Sequence, residues 1–173
     1  MYNRIVVPLD GSAVSEAALS PAIEFARLSG ATIHLVRVVD DTWLTRYGVI
    51  GLPVGAESAG DILAEEQDDA TRYVAAMRAQ IEQTGIPITT EIRRGRAADE
   101  IRNAVGDGDL LAIATHGRSG FSRFALGSVT EEVTRQMRSP VLLCHARKED
   151  AARESMVEGD GDHQAAMDIR IAS

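Results

Sequence analysis

The chain has 173 residues, 45% of them hydrophobic, with a formal net charge of −8 and a single cysteine. That length supports one domain with a core of its own, while the negative charge argues against nonspecific binding to nucleic acid or an anionic membrane surface, both of which need a basic footprint. One cysteine excludes an intramolecular disulfide and any cysteine-based metal cluster. No apolar run approaches the roughly 18–20 residues of a membrane span, and no signal-peptide pattern precedes the first strand, so a cytoplasmic location is expected.

Arg4 to Asp10 reads as a strand of β-branched residues covered on both faces, with Pro8 near its end. Asp10-Gly11-Ser12 is a turn, and Ser12 is the expected N-cap of a helix from Ala13 to Leu28. Ala17, Ala18, Pro21, Ala22, Phe25, Ala26 and Leu28 mark its apolar side, Pro21 bends or breaks it, and Ser29-Gly30 closes it. Thr32 to Val39 is a second strand, in which His34 and Arg37 are expected on a partly exposed face or strand end.

Residues 42 to 60 carry four glycines, Pro53, Trp43 and Tyr47, and read as a lid over a pocket or as a surface excursion. Asp61 to Gln83 is a long helix with Ile62, Leu63, Tyr73, Val74, Met77 and Ile81 as its apolar side and an acidic, solvated start. Ile88 to Arg93 is a third strand. A short helix, Ala97 to Val105, points Ala98, Ile101 and Val105 inward, and Gly106 to Asp109 is a tight turn. Leu110 to Ala114 is a central buried strand, 129–138 a helix, and Pro140 to His145 a last strand in which Cys144 is a small core residue.

Strands and helices alternate throughout. This predicts an α/β fold: an open five-stranded parallel sheet with right-handed crossovers and helices on both faces. Ligands of such sheets lie beyond the carboxyl ends of the strands, where the strand order reverses. Asp10, after the first strand, and the glycine-bearing loop from Thr115 to Gly127, after the fourth, are thereby expected at one crevice. The loop is long, and it carries Arg118, Arg123, Ser119 and Ser122. Its glycines allow close backbone approach, and the helix after it offers unpaired N–H groups to an anion. Ser128 with Glu131 fits a capping box, which leaves the Ser128 hydroxyl either capping the helix or facing a phosphate. Lys148 is the only lysine against 17 arginines, so a phosphate must be met by backbone N–H, hydroxyl or arginine rather than by a Walker-type lysine.

Three segments in this order resemble the universal stress protein family: Ile5 to Ser12, the loop Thr115-His116-Gly117-Arg118-Ser119-Gly120 through Gly127-Ser128, and Pro140 to Leu143. The resemblance spans about residues 2 to 146 and implies a Rossmann-like domain of the adenine nucleotide α-hydrolase type over 1–146, followed by an acidic tail, 147–173. ATP-binding members carry a glycine, two residues, a glycine, nine residues, then glycine and serine or threonine. Gly117, Gly127 and Ser128 match that pattern, while Ala114 stands at the first glycine and narrows the ribose region.

By resemblance, Gly117, Gly127, Ser128 and Val129 hold the phosphates of ATP, with Arg118 available beside them. Pro8, Leu9, Asp10, Ile113 and Ala114 lie along ribose and adenine, and Val38 meets the adenine edge through its backbone. Mg²⁺ is held by phosphate oxygens. The family's habit of dimerising through the last strand implies a homodimer through Val141, Leu142 and Leu143, an apolar edge that needs covering. Three functions stay open: a nucleotide-dependent stress-response or signalling module, a slow ATP hydrolase with His116 or Asp10 orienting water, and a dimeric stress protein without nucleotide.

Overall fold

A computed structural model describes residues 2–42, 56–115 and 127–146. The loop residues Gly117 and Arg118, His116, residues 43–55 of the 42–60 excursion and the 147–173 tail lie outside the described residues. The elements are β1 (Arg4–Pro8), α1 (Ala13–Glu16), α2 (Leu19–Ser29), β2 (Thr32–Val39), α3 (Ala56–Glu82), β3 (Ile88–Arg94), α4 (Ala97–Ala104), β4 (Leu110–Thr115), α5 (Ser128–Gln136) and β5 (Val141–His145). All five strands are parallel, in the order β3-β2-β1-β4-β5. The expected α/β architecture is therefore the one observed, and the order reverses between β1 and β4.

The central strands are buried because their apolar runs are continuous. Ile5, Val6 and Val7 are fully buried, and every residue of β4 is buried. Side chains alternate between faces. Ile5, Val7, Ile33, Leu35 and Ala112 pack with α2 and α3, while Val6, Val36, Leu111 and Ile113 pack with α4 and α5. Each such aliphatic side chain contributes roughly 1.5–3 kcal/mol by leaving water.

Four local expectations are corrected. The helix after Ser12 is two helices, broken at Ala17–Ala18, and Pro21 lies in the first turn of α2, where its missing N–H costs no helical bond. On α2 the ridge Leu19–Ala22–Ala26 is small enough to approach the sheet closely, which leaves Phe25 and Leu28 outside, the latter 84% exposed. The long helix begins at Ala56 rather than Asp61 and runs through Gly60; its buried ridge is Ala70, Val74 and Ile81, with Ile62 on the exposed side. His34 is not on an exposed face. It is buried, with Nδ1 2.8 Å from Thr89 Oγ1 and Nε2 3.1 Å from Glu91 Oε2, because β3 covers β2 on that side.

At the amino ends of the strands, Arg4 donates to both oxygens of the buried Asp109 carboxylate, which also accepts the Gly106 N–H at 2.8 Å. This closes the 106–109 turn and ties β1 to β4 at the end opposite the carboxyl ends of the strands.

Candidate functional site

The turn after β1 is built by its own polar groups. Gly11 adopts φ +90°, which a side chain would strain. Asp10 Oδ1 accepts the Ser12 N–H at 2.9 Å and the Ser12 hydroxyl at 2.6 Å. Ser12 Oγ in turn accepts the Ser15 N–H at 3.1 Å as the N-cap of α1, as its residue type predicts. Ser15 Oγ accepts the Asp10 N–H at 3.3 Å and donates to the Ser12 carbonyl. Crowding by the surrounding walls acts to raise the Asp10 pKa, but the hydrogen bonds from Ser12 and Ser15 and the charge of Arg37 outweigh it. The carboxyl is held below its usual 3.8.

Beyond the end of β4, the first residues of α5 face this turn. The cap of α5 is Gly127, whose carbonyl accepts the Glu131 N–H at 2.9 Å. Ser128 is thus the first residue inside the helix, and the expected capping box does not form: Glu131 pairs instead with Arg135. The shift by one residue arises because Gly127 takes the extended cap conformation, φ −54° and ψ 146°. Thr130 Oγ1 donates to the Ala114 carbonyl at 3.0 Å and fixes the start of α5 against β4.

Between these elements lies a cavity of about 280 Å³, at the small end of the roughly 300–1,000 Å³ common for ligand pockets. The first strand and its turn contribute Pro8, Leu9, Asp10, Ser12 and Ser15. The second strand contributes Val36, Arg37 and Val38, and α4 contributes Ala97 and Ile101. Ile113, Ala114 and Thr115 come from β4, and Gly127 to Thr130 from the start of α5.

Every described residue assigned to the site from sequence, namely Pro8, Leu9, Asp10, Val38, Ile113, Ala114, Gly127, Ser128 and Val129, lines this one cavity. Ser12, Ser15, Arg37, Ala97, Ile101 and Thr130 were not foreseen there. Arg37 was readable only as an interruption of an apolar strand. Its Nη1 donates to the Leu9 carbonyl at 3.4 Å, and its buried Nε has no acceptor among the described residues. The wall is apolar along Val36, Val38, Ile101 and Ile113. It is polar where Asp10, Ser12 and the start of α5 converge. A cleft with one apolar wall, one anionic group and the unpaired N–H groups of a helix start suits a planar apolar ring joined to an anion.

Among the described residues no group of three or more His, Cys, Asp or Glu side chains is placed to hold a metal ion. None of their helices is long and apolar enough to cross a membrane.

A doubly wound parallel sheet with a cavity at its strand-order reversal defines the class of protein. Within that class the chain belongs to the universal stress protein family, whose model matches residues 1–145. It is 34% identical to universal stress protein MJ0531 of Methanocaldococcus jannaschii over 87% of this chain and 86% of that one. The solved structure of MJ0577, from the same organism, superposes with a TM-score of 0.69 at 23% identity, covering 86% of this chain and 99% of that one. A universal stress protein solved in complex with cyclic AMP superposes with a TM-score of 0.59 at 24% identity, covering 84% of this chain and 99% of that one.

Proposed function

We propose that this chain is a nucleotide-dependent stress-response or signalling module that holds ATP in the cavity between β1 and β4. The observation that carries the reading is that Asp10 and the start of α5, at Gly127, Ser128 and Val129, line one cavity although more than a hundred residues separate them. In this reading the N–H groups from Gly127 to Val129 hold phosphate oxygens, together with Gly117 and Arg118. Pro8, Leu9, Ile113 and Ala114 flank ribose and adenine, and the Val38 backbone meets the adenine edge. The ionised Asp10 accepts hydrogen bonds from ligand N–H or O–H groups. The adenine nucleotide in the cyclic AMP complex of a family member supports the ligand class.

Mg²⁺ would travel with the nucleotide, held on its phosphate oxygens. Asp10 is a weak base because its pKa is lowered, which favours holding nucleotide over hydrolysing it. The module is proposed to be cytoplasmic and to work as a homodimer through β5. That strand lies at one edge of the sheet, with Leu143 42% exposed and Val141 and Leu142 half-buried. The domain is taken to end at Ala146, with the acidic segment 147–173 appended to it.

The test is the nucleotide content of the protein as purified, followed by calorimetric titration with ATP and Mg²⁺. Co-purified adenine nucleotide, or saturable ATP binding, is expected. Absence of both would leave a dimeric stress protein without nucleotide.

A further inference from the structure

A second, broader cleft of about 600 Å³ adjoins the cavity and shares Ala97, Ser128 and Val129 with it. Across it Arg96, the residue before α4, reaches Glu132, one turn into α5. The contact is bidentate, Nη1 to Oε1 at 2.6 Å and Nη2 to Oε2 at 2.5 Å. Asp99 stands 3.6 Å from the same guanidinium. The remaining carboxylate on the cleft, Asp40, accepts the Thr42 N–H and hydroxyl at 2.9 and 2.5 Å.

We infer that Arg96 is a specificity-determining residue that exchanges Glu132 for the distal phosphates of a bound nucleotide, so that the site discriminates a triphosphate from a monophosphate. The inference rests on the nucleotide reading above. The cleft opens at Ser128, where the phosphate chain would leave the start of α5, and a chain longer than one phosphate runs toward Arg96. Among the described residues lining cavity and cleft, the arginines are Arg37 and Arg96, and Arg37 lies on the far wall beside Leu9.

The exchange is energetically accessible. The Arg96 and Glu132 side chains are 50% and 27% exposed, and solvent-screened pairs of this kind contribute little. A phosphate offers the same fork geometry with more charge. Glu132 therefore works against the ligand: it occupies the guanidinium and repels the incoming phosphate until it swings away. AMP, with one phosphate held at the start of α5, leaves the pair untouched.

The experiment is calorimetric titration of the full chain with AMP and with ATP, in Mg²⁺, for the wild type, Arg96→Ala and Glu132→Gln. Arg96→Ala is expected to weaken ATP binding about tenfold and to leave AMP within about twofold. Glu132→Gln, which breaks the bidentate ion pair and removes the Glu132 share of the repulsion while Asp99 and Asp40 stay in place, is expected to tighten ATP about threefold with AMP again unchanged. A merely structural role for the pair would move both nucleotides together and leave their ratio constant. Wild-type ATP binding with the same ATP-to-AMP ratio in both variants overturns the inference while leaving the nucleotide reading standing. A wild-type chain that binds neither nucleotide overturns both. Should Arg96→Ala fail to fold, Glu132→Gln alone decides.

Discussion

Thr130 donates its hydroxyl to the carbonyl of Ala114 at 3.0 Å, with both residues buried. The bond ties the first turn of α5 to the carboxyl end of β4 and so sets where the helix start points. Thr130→Val keeps the shape and removes the donor. It is expected to cost about 1 kcal/mol in denaturant unfolding. ATP affinity should fall about threefold or more, because the N–H groups from Gly127 to Val129 lose their fixed position. Unchanged affinity in a destabilised variant would detach this bond from the site.

Gly127 offers a cleaner separation of fold from ligand. Its φ of −54° suits any residue, and a Cβ built there meets no described atom within 4 Å. Nothing among the described residues requires glycine at this position. Gly127→Ala is therefore expected to melt as the wild type does, while Gly127→Glu abolishes ATP binding by placing a carboxylate in the anion site. Equal ATP affinity in Gly127→Glu would remove the phosphate-site assignment.

At the opposite end of the strands, Asp109 governs stability against acid. Burial works to raise its pKa, but the Arg4 guanidinium and the Gly106 N–H outweigh burial, and the carboxyl is held below its usual 3.8. A folded pKa below the unfolded one stabilises the fold above about pH 3.8 and loses that contribution as pH falls through the folded value. Asp109→Asn is expected to cost about 1–2 kcal/mol at pH 7, with Arg4 partly exposed and therefore screened. The variant should also show a flatter stability profile below pH 4. Nucleotide binding at the far end of the sheet should not change. An unaltered acid profile would remove Asp109 as the titrating group.

The β5 edge gives a test of assembly. Charged substitutions, Val141→Glu with Leu143→Glu, put two carboxylates on an edge that would pair with its own copy, and like charges facing each other oppose pairing. Light scattering should report a dimer for the wild type and a monomer for the variant. An unchanged mass would discard this strand as the interface.

Much of the architecture was legible because β1 and β4 are unbroken apolar runs, β2 is an apolar run interrupted at His34 and Arg37, and the turns between elements carry glycine, aspartate and serine. The cavity could be placed from Asp10 and Gly127–Ser128 because a parallel sheet gathers its carboxyl ends at one side. What escaped the sequence depended on packing or on single-residue geometry. The break at Ala17–Ala18 falls in a run of good helix formers. The start of α3 is hidden by Gly60, a poor helix former that the helix nevertheless includes. The burial of His34 is set by Thr89 and Glu91 across the sheet, and the place of Arg37 by the loop after β1. None of these contacts leaves a local signature. The loop residues Gly117 and Arg118 lie outside the described residues, so their part in the site rests on the motif.

Five separated stretches meet at the cavity: residues 8–15, 36–38, 97–101, 113–115 and 127–130. The stretches span residues 8 to 130, so the site comes into being only when β1, β2, β4 and the starts of α4 and α5 are assembled together. Any molecule that settles there therefore draws the whole sheet toward its native form, by about 2.7 kcal/mol at a hundredfold excess over its dissociation constant. Occupancy becomes a gauge of folding itself: for such a chain, the supply of ligand sets how much heat or denaturant it withstands.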